Sequence, residues 1–240
     1  MTYTDQNISV IELRNYILKP GTRDNFTNYF EENFIQSQIE LGGYPIGQFS
    51  IKGMVDNFFW IRGFTDMDLR SKFLPAFYYG PIWKQYGAVA NSMLVNNDNV
   101  YLLRPLTWSK NSLQNGRSVT INQLKTRKGI AVIDLYIANT KLDQLITFFS
   151  ETYISMLENE GIENYTLWTS ELSENDFPRL PVFQDKNLLV AITFYKDENE
   201  YLSKQKIADA ALSDELKAQF HDIVTTKNSL ILYPTRSSYL

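Results

Sequence analysis

Between residues 9 and 18 apolar and polar side chains alternate, with Ile11, Leu13 and Ile17 on one face and Glu12, Arg14 and Tyr16 on the other. That is the period-two pattern of a strand with one covered face. The aliphatic face is expected to lie under helices and the charged face to look towards a second sheet. Pro20-Gly21-Thr22 breaks the strand, after which Phe26, Phe30 and Phe34 recur at four-residue spacing as the stripe of an amphipathic helix. Gly42-Gly43 closes that helix where a left-handed cap costs least. Strands are predicted at 46–51 and 57–64, then helices over 69–79 and 82–94, the first capped by the oxygens of Thr65 to Asp68 and the second restarted by Pro81 after Gly80. Residues 100–104 form a fourth strand, expected to stop at Pro105.

The order is β-α-β-β-α-β, the ferredoxin-like unit, and it then begins again. AVIDLYIA (131–138) echoes IELRNYIL, while Leu142, Leu145, Ile146, Phe149, Tyr153 and Met156 repeat the amphipathic helix. Residues 165–171 and 188–196 stand for the second and third strands, separated by a long loop at 173–185 that holds Pro178 and Pro181. Asp197 and Glu198 take the capping role of Asp66 and Asp68, 213–224 is the late helix, and 229–233 is the last strand. The expected fold is α+β, with two tandem ferredoxin-like βαββαβ units facing one another: residues 1–107, a linker at 108–128, and a diverged second unit at 129–240. Residues 118–124 offer an extra edge strand within the linker.

With 240 residues, 44% of them hydrophobic, the chain can bury a substantial core. A formal net charge of −4 with dispersed Lys and Arg provides no field for nucleic acid, so none is expected as a partner. The absence of cysteine removes disulfides, thiolate nucleophiles and cysteine zinc sites, and a lone histidine, His221, excludes a multi-histidine metal site. No cofactor is expected, and no phosphate loop or nucleophile elbow occurs. The N-terminal MTYTDQNISV has neither a basic nor an apolar run, and nothing approaches a membrane-spanning stretch, so a cytoplasmic protein without a membrane partner is expected.

The segments IELRNYILKPG (11–21) and FFWIRGF (58–64), with the helical run carrying Arg70, Leu74, Pro81, Trp83 and Tyr86, resemble the NIPSNAP family. The likeness spans roughly residues 8 to 106; the second unit lacks counterparts of Trp83 and Arg70. The resemblance implies a dimeric α+β barrel, a fold shared by cofactor-free monooxygenases, isomerases, haem proteins and members without known chemistry.

Strand alternation groups Arg14 and Tyr16 with Trp60 and Arg62 on one sheet face. In the expected barrel that face borders an inter-sheet cavity, and arginines beside aromatic walls suit a small organic anion, with or without cofactor-free catalysis. The competing reading pairs both arginines with Glu12 or Asp134 in a structural network. If the pocket binds ligand, Arg62→Met is expected to leave the melting temperature nearly unchanged and to abolish carboxylate binding. Tyr78, Trp83 and Tyr86 serve as lid or interface in these readings, and the aromatic helices suggest a homodimer. A protein-interaction module is the alternative function, with haem binding through His221 as a third.

Overall fold

The computed structural model describes residues 6–109, 112–115, 119–121, 129–139, 142–159, 161, 165–184 and 187–239. Much of the expected linker lies outside the described residues. The first half runs β1 (Val10–Leu18), α1 (Arg23–Glu40), β2 (Tyr44–Ile51), β3 (Met54–Phe64), α2 (Met67–Tyr78), α3 (Pro81–Ser92) and β4 (Val100–Ser109). The second runs β5 (Ile130–Ala138), α4 (Leu142–Phe148), a π-helical turn (Phe149–Tyr153), α5 (Ile154–Asn159), β6 (Tyr165–Ser170), β7 (Leu188–Tyr195), α6 (Glu198–Ala211), α7 (Asp214–Ile223) and β8 (Val224–Pro234).

These strands close an antiparallel eight-stranded barrel in the order β1-β3-β2-β8-β5-β7-β6-β4, with β4 returning to β1. Two seams join the halves. Along β2 and β8, Ile51, Ser50 and Phe49 face Leu232, Tyr233 and Pro234; along β4 and β6, the ladder runs from Leu103 opposite Ser170 to Leu106 opposite Leu167. Around the barrel, Ser112–Asn115 turns back on β4, Leu94–Asn96 lies beside β1, and Val119–Thr120 pairs with Asn7–Ile8. Of the proposed edge strand at 118–124, only 119–121 falls within the described residues.

Two expectations change. β4 does not stop at Pro105 but continues to Ser109. Its ladder with β1 ends at Leu103, so Pro105 sits where that side of the strand has no β1 partner and its missing N–H breaks no bond there. The faces of β1 and β3 are also the reverse of those expected. Ile11, Leu13, Phe59 and Ile61 point into the barrel and meet Ile133, Leu135, Trp168 and Val190 from the second half. Tyr16, Phe58 and Trp60 instead pack under α1 and α2 with Phe26, Phe30, Phe34, Phe73 and Phe77. Alternation fixes which residues share a face. It does not choose the side, and the aliphatic face suits the largely apolar barrel interior better than the helix layer.

The rings that suggested an interface are largely absorbed by this layer, since Phe26, Phe30, Phe34, Phe73, Phe77 and Tyr78 are all buried. Tyr79 and Val89 remain exposed. Among the described residues no helix is long and apolar enough to cross a membrane.

Candidate functional site: a buried guanidinium cluster

Under α1 and α2 of the first half lie four charged side chains with 0% exposure: Glu12, Arg14, Arg62 and Arg70. Antiparallel pairing sets Glu12 opposite Arg62 and Arg14 opposite Trp60, while Arg70 descends from α2. The helix is fixed by the Asp66 carboxylate, which accepts from the Leu69 N–H at 2.6 Å. At the far end of α1, Gly42 takes φ +86° to close the helix, and the Phe73 ring presses against Gly43 so closely that a Cβ there would lie 2.5 Å from it. Phe73 in turn covers Arg62, whose guanidinium lies 5.1 Å from the ring centroid.

Glu12 is the hub. Its Oε2 accepts from Arg14 Nη1 at 2.8 Å and from Arg62 Nε and Nη2 at 2.9 and 2.6 Å, and its Oε1 accepts from Arg70 Nε at 2.8 Å. Arg62 Nη1 donates to Gln38 Oε1 at 3.1 Å, Arg70 Nη1 to Asn175 Oδ1 at 3.0 Å, and Arg14 Nε to the Tyr16 hydroxyl oxygen at 3.0 Å. Burial alone would raise the Glu12 pKa, but Arg62, Arg14 and Arg70 together outweigh it and hold the carboxyl far below its usual range. Burial likewise raises the Tyr16 hydroxyl, against the opposing pull of Arg14, so the phenol stays protonated.

Three guanidiniums share one buried carboxylate, and the excess is visible atom by atom. Arg14 Nη2, Arg70 Nη2 and the Trp60 indole N–H are buried without a hydrogen-bond partner. Among the described residues the other acid paired with them is Asp176, 3.8 Å from Arg70 Nη1 and exposed. Because the Tyr16 oxygen already accepts from Arg14, its own proton is free to be donated. Beside these groups is a cavity of about 20 Å³, bordered by Tyr16, Trp60, Tyr78, Trp83, Gln38 and Phe30. It has room for about one water. Its walls are mainly aromatic, with Tyr16, Trp60 and Tyr78 as rings that carry a polar hydrogen and no arginine among the lining residues; donors set in an aromatic wall suit an oxyanion attached to a flat body.

Residues 11–110 match the model of the NIPSNAP family. Over this segment, less than half of the chain, the protein is similar to the NIPSNAP family. No curated protein matches the chain in sequence. In fold it is similar to a "putative monooxygenase" from Lactobacillus acidophilus NCFM, with a TM-score of 0.57 at 12% identity over 95% of this chain and 94% of that one. A protein from Fusobacterium nucleatum bearing the same description scores 0.58 at 13% identity over 95% and 92%. An anthrone oxidase-like protein scores 0.51 at 10% identity over 98% and 94%.

All four members of the cluster fall inside the NIPSNAP segment, whereas Asn175 and Asp176 lie outside it. The grouping of Arg14, Tyr16, Trp60 and Arg62 is therefore observed, on the helix side of the sheet and not in the barrel. Tyr78 and Trp83 wall the cavity, while Tyr86 packs against Tyr29 away from it. Asp134 is no partner of Arg14; it accepts from Ser229 and lies 3.7 Å from Lys227. His221 is exposed near the end of α7, and among the described residues no group of metal-ligating side chains occurs.

Sequence reasoning did not assign Gln38 or Arg70 to the site. Both could have been found, because Gln38 continues the stripe Phe26, Phe30, Phe34 and Arg70 stands one turn before Phe73 and Leu74. A polar residue on a buried stripe must have partners. Asn175 carries no such signal, since it lies in an irregular segment far along the chain.

Proposed function

We propose that this NIPSNAP-like protein binds a small planar organic anion between the sheet and helices of its first half, with its charged oxygen towards Arg14, Tyr16 and Trp60. What carries the reading is the imbalance of the cluster: three buried arginines on one buried glutamate, with two guanidinium nitrogens and an indole N–H left without partners. A protein that needed only a structural ion pair would gain nothing from the surplus charge, whose desolvation is costly. Arg62 is fully engaged with Glu12 and Gln38. Arg14 is the better candidate for ligand contact, and the expectation that Arg62→Met would be harmless is withdrawn.

The proposal extends to the organisation of the chain. Two fused βαββαβ units account for the strand order, each half contributing its strands as fourth-first-third-second around the barrel. The named relatives make oxidation of a phenolic or enolic anion the first reaction class to assay, by oxygen consumption.

A second reading is favoured by the small volume of the cavity. In it the cluster is structural and never meets a ligand. Titration calorimetry and thermal shift with benzoate and salicylate, against cyclohexanecarboxylate and chloride, separate the two. We expect the aromatic acids to raise the melting temperature of the wild type and not of Arg14→Met. Absence of any stabilisation by millimolar aromatic acid would return the cluster to the structural reading.

A further inference from the structure

A cavity with room for about one water cannot admit a benzoate-sized molecule unless part of its wall moves. One of the side chains lining it, Tyr78, is backed by a segment from the other half of the chain. Residues 171–184 leave β6 as an irregular strap, cross to the first half, and bury Phe177 and Leu180 in the aromatic layer there. Phe177 stacks on Tyr78 at 6.1 Å and also meets Tyr79, whose ring carries Arg179 at 5.4 Å. Tyr78 thus has the cavity on one side and the strap on the other. Asn175 accepts from Arg70 and is itself braced, its amide donating to the Leu180 carbonyl at 2.9 Å. Asp176 adds a negative charge beside Arg70.

We propose that this strap is the gate of the first half's site: Asn175 and Asp176 latch it to Arg70, Phe177 holds Tyr78 closed, and release of both opens the cavity to the anion. The inference rests on the binding reading above for the identity of what enters, but the gating itself does not. The physical basis is the mixture of contacts. The ends of the strap are pinned to β4, by Glu171 N–H to the Leu102 carbonyl and by the Phe183 bridge to Tyr101, but between them the irregular stretch is held by Phe177, Leu180, Val182 and a few polar bonds, so its local opening costs far less than unfolding the barrel beneath it. In the closed state Asp176 offsets part of the surplus positive charge, and an incoming anion replaces it.

The absence of cysteine in the chain makes a direct test available. Ala90→Cys places a single thiol in the cavity wall, and Ala131→Cys places one in the barrel interior. Each is treated with iodoacetamide in three backgrounds: the wild-type strap, Phe177→Ala and Asn175→Ala. We expect both strap variants to speed labelling at position 90 by about tenfold or more and to change position 131 by less than about twofold, with Phe177→Tyr restoring the slow rate. Equal acceleration at both positions would mean global loosening, and no acceleration at position 90 would mean a strap that covers without gating; either result overturns the gate. Benzoate association followed through tryptophan fluorescence then addresses the ligand separately. Faster association and dissociation in Asn175→Ala support the gate, and unchanged rates argue against it. If the wild type shows no benzoate binding at all, the anion reading fails while the labelling rates still decide the gate.

Discussion

Across β1 and β3 the helix-facing pairs are Glu12 with Arg62, Arg14 with Trp60, and Tyr16 with Phe58; across β5 and β7 the corresponding pairs are Val132 with Thr193, Asp134 with Ala191, and Tyr136 with Leu189. Only the tyrosine is common to both. The second half builds its helix layer from Tyr136, Phe148, Phe149 and Leu189, and among its described residues there is no buried guanidinium cluster. Its one acid on this face, Asp134, is reached by Ser229 and Lys227 and is not fully buried. There burial, then Asp134, pushes the Tyr136 hydroxyl well above its ordinary pKa, and Tyr153 is pushed up to about 12, so both remain neutral. One frame thus carries both a charged layer and an almost neutral one. The barrel frame does not require the cluster, since the second half builds the same strand order without one.

The sharpest way to break this contrast is to remove the hub. Glu12→Gln leaves three buried cations without a counter-ion and should cost about 3–5 kcal/mol in urea unfolding. The effect depends on pH. Because the folded-state pKa of Glu12 is depressed, the stability from its ionisation is complete above the unfolded value of about 4.3 and is lost as pH falls towards the folded one. The gap between wild type and Glu12→Gln should therefore be flat near neutrality and narrow below about pH 4. An unchanged gap at lower pH would show that Glu12 is not the charged hub.

Arg62→Met comes next, at about 3 kcal/mol, since it removes two of the bonds to Glu12 Oε2 and leaves the Gln38 Oε1 without its donor. Arg14→Met should cost less than about 1 kcal/mol, because Glu12 keeps Arg62 and Arg70 and the surplus charge falls, yet it should abolish aromatic acid binding. A loss from Arg14→Met as large as from Arg62→Met would erase the distinction between engaged and spare arginines. The smallest effect belongs to the other half: Asp134→Asn should change unfolding free energy by about 1 kcal/mol or less, its partners being partly exposed.

Much of this was legible in the residues. Alternation and the aromatic stripe located the strands, the first helix and its Gly42 cap, and Asp66 was correctly read as a helix cap. Arg14, Tyr16, Trp60 and Arg62 were grouped on one face because register follows from period two. The side they face was not legible, since both faces of β1 are buried and a strand buried twice gives no contrast between in and out. The role of Glu12 as hub for three arginines depends on α2 descending onto the sheet, and the strap's reach to Arg70 depends on closure of the barrel. Neither is a property of any local stretch.

That closure also governs how the molecule comes apart. The seam between β2 and β8 pairs three residues, Ile51 to Phe49 against Leu232 to Pro234, and is flanked by the backbone bonds of Lys52 N–H to Ile231 and Thr235 N–H to Gln48, whereas β5 and β8 are matched from Val224 opposite Ala138 through Leu232 opposite Ala131. A ring opens at its shortest ladder. Fluctuation along this seam would turn the barrel into a curved ribbon hinged at β4 and β6, exposing amide protons of β2 and β8 to exchange while those of β5 and β7 stay protected. Since the hinge lies at the root of the strap, the motion that loosens the frame would also be felt at the door of the charged layer.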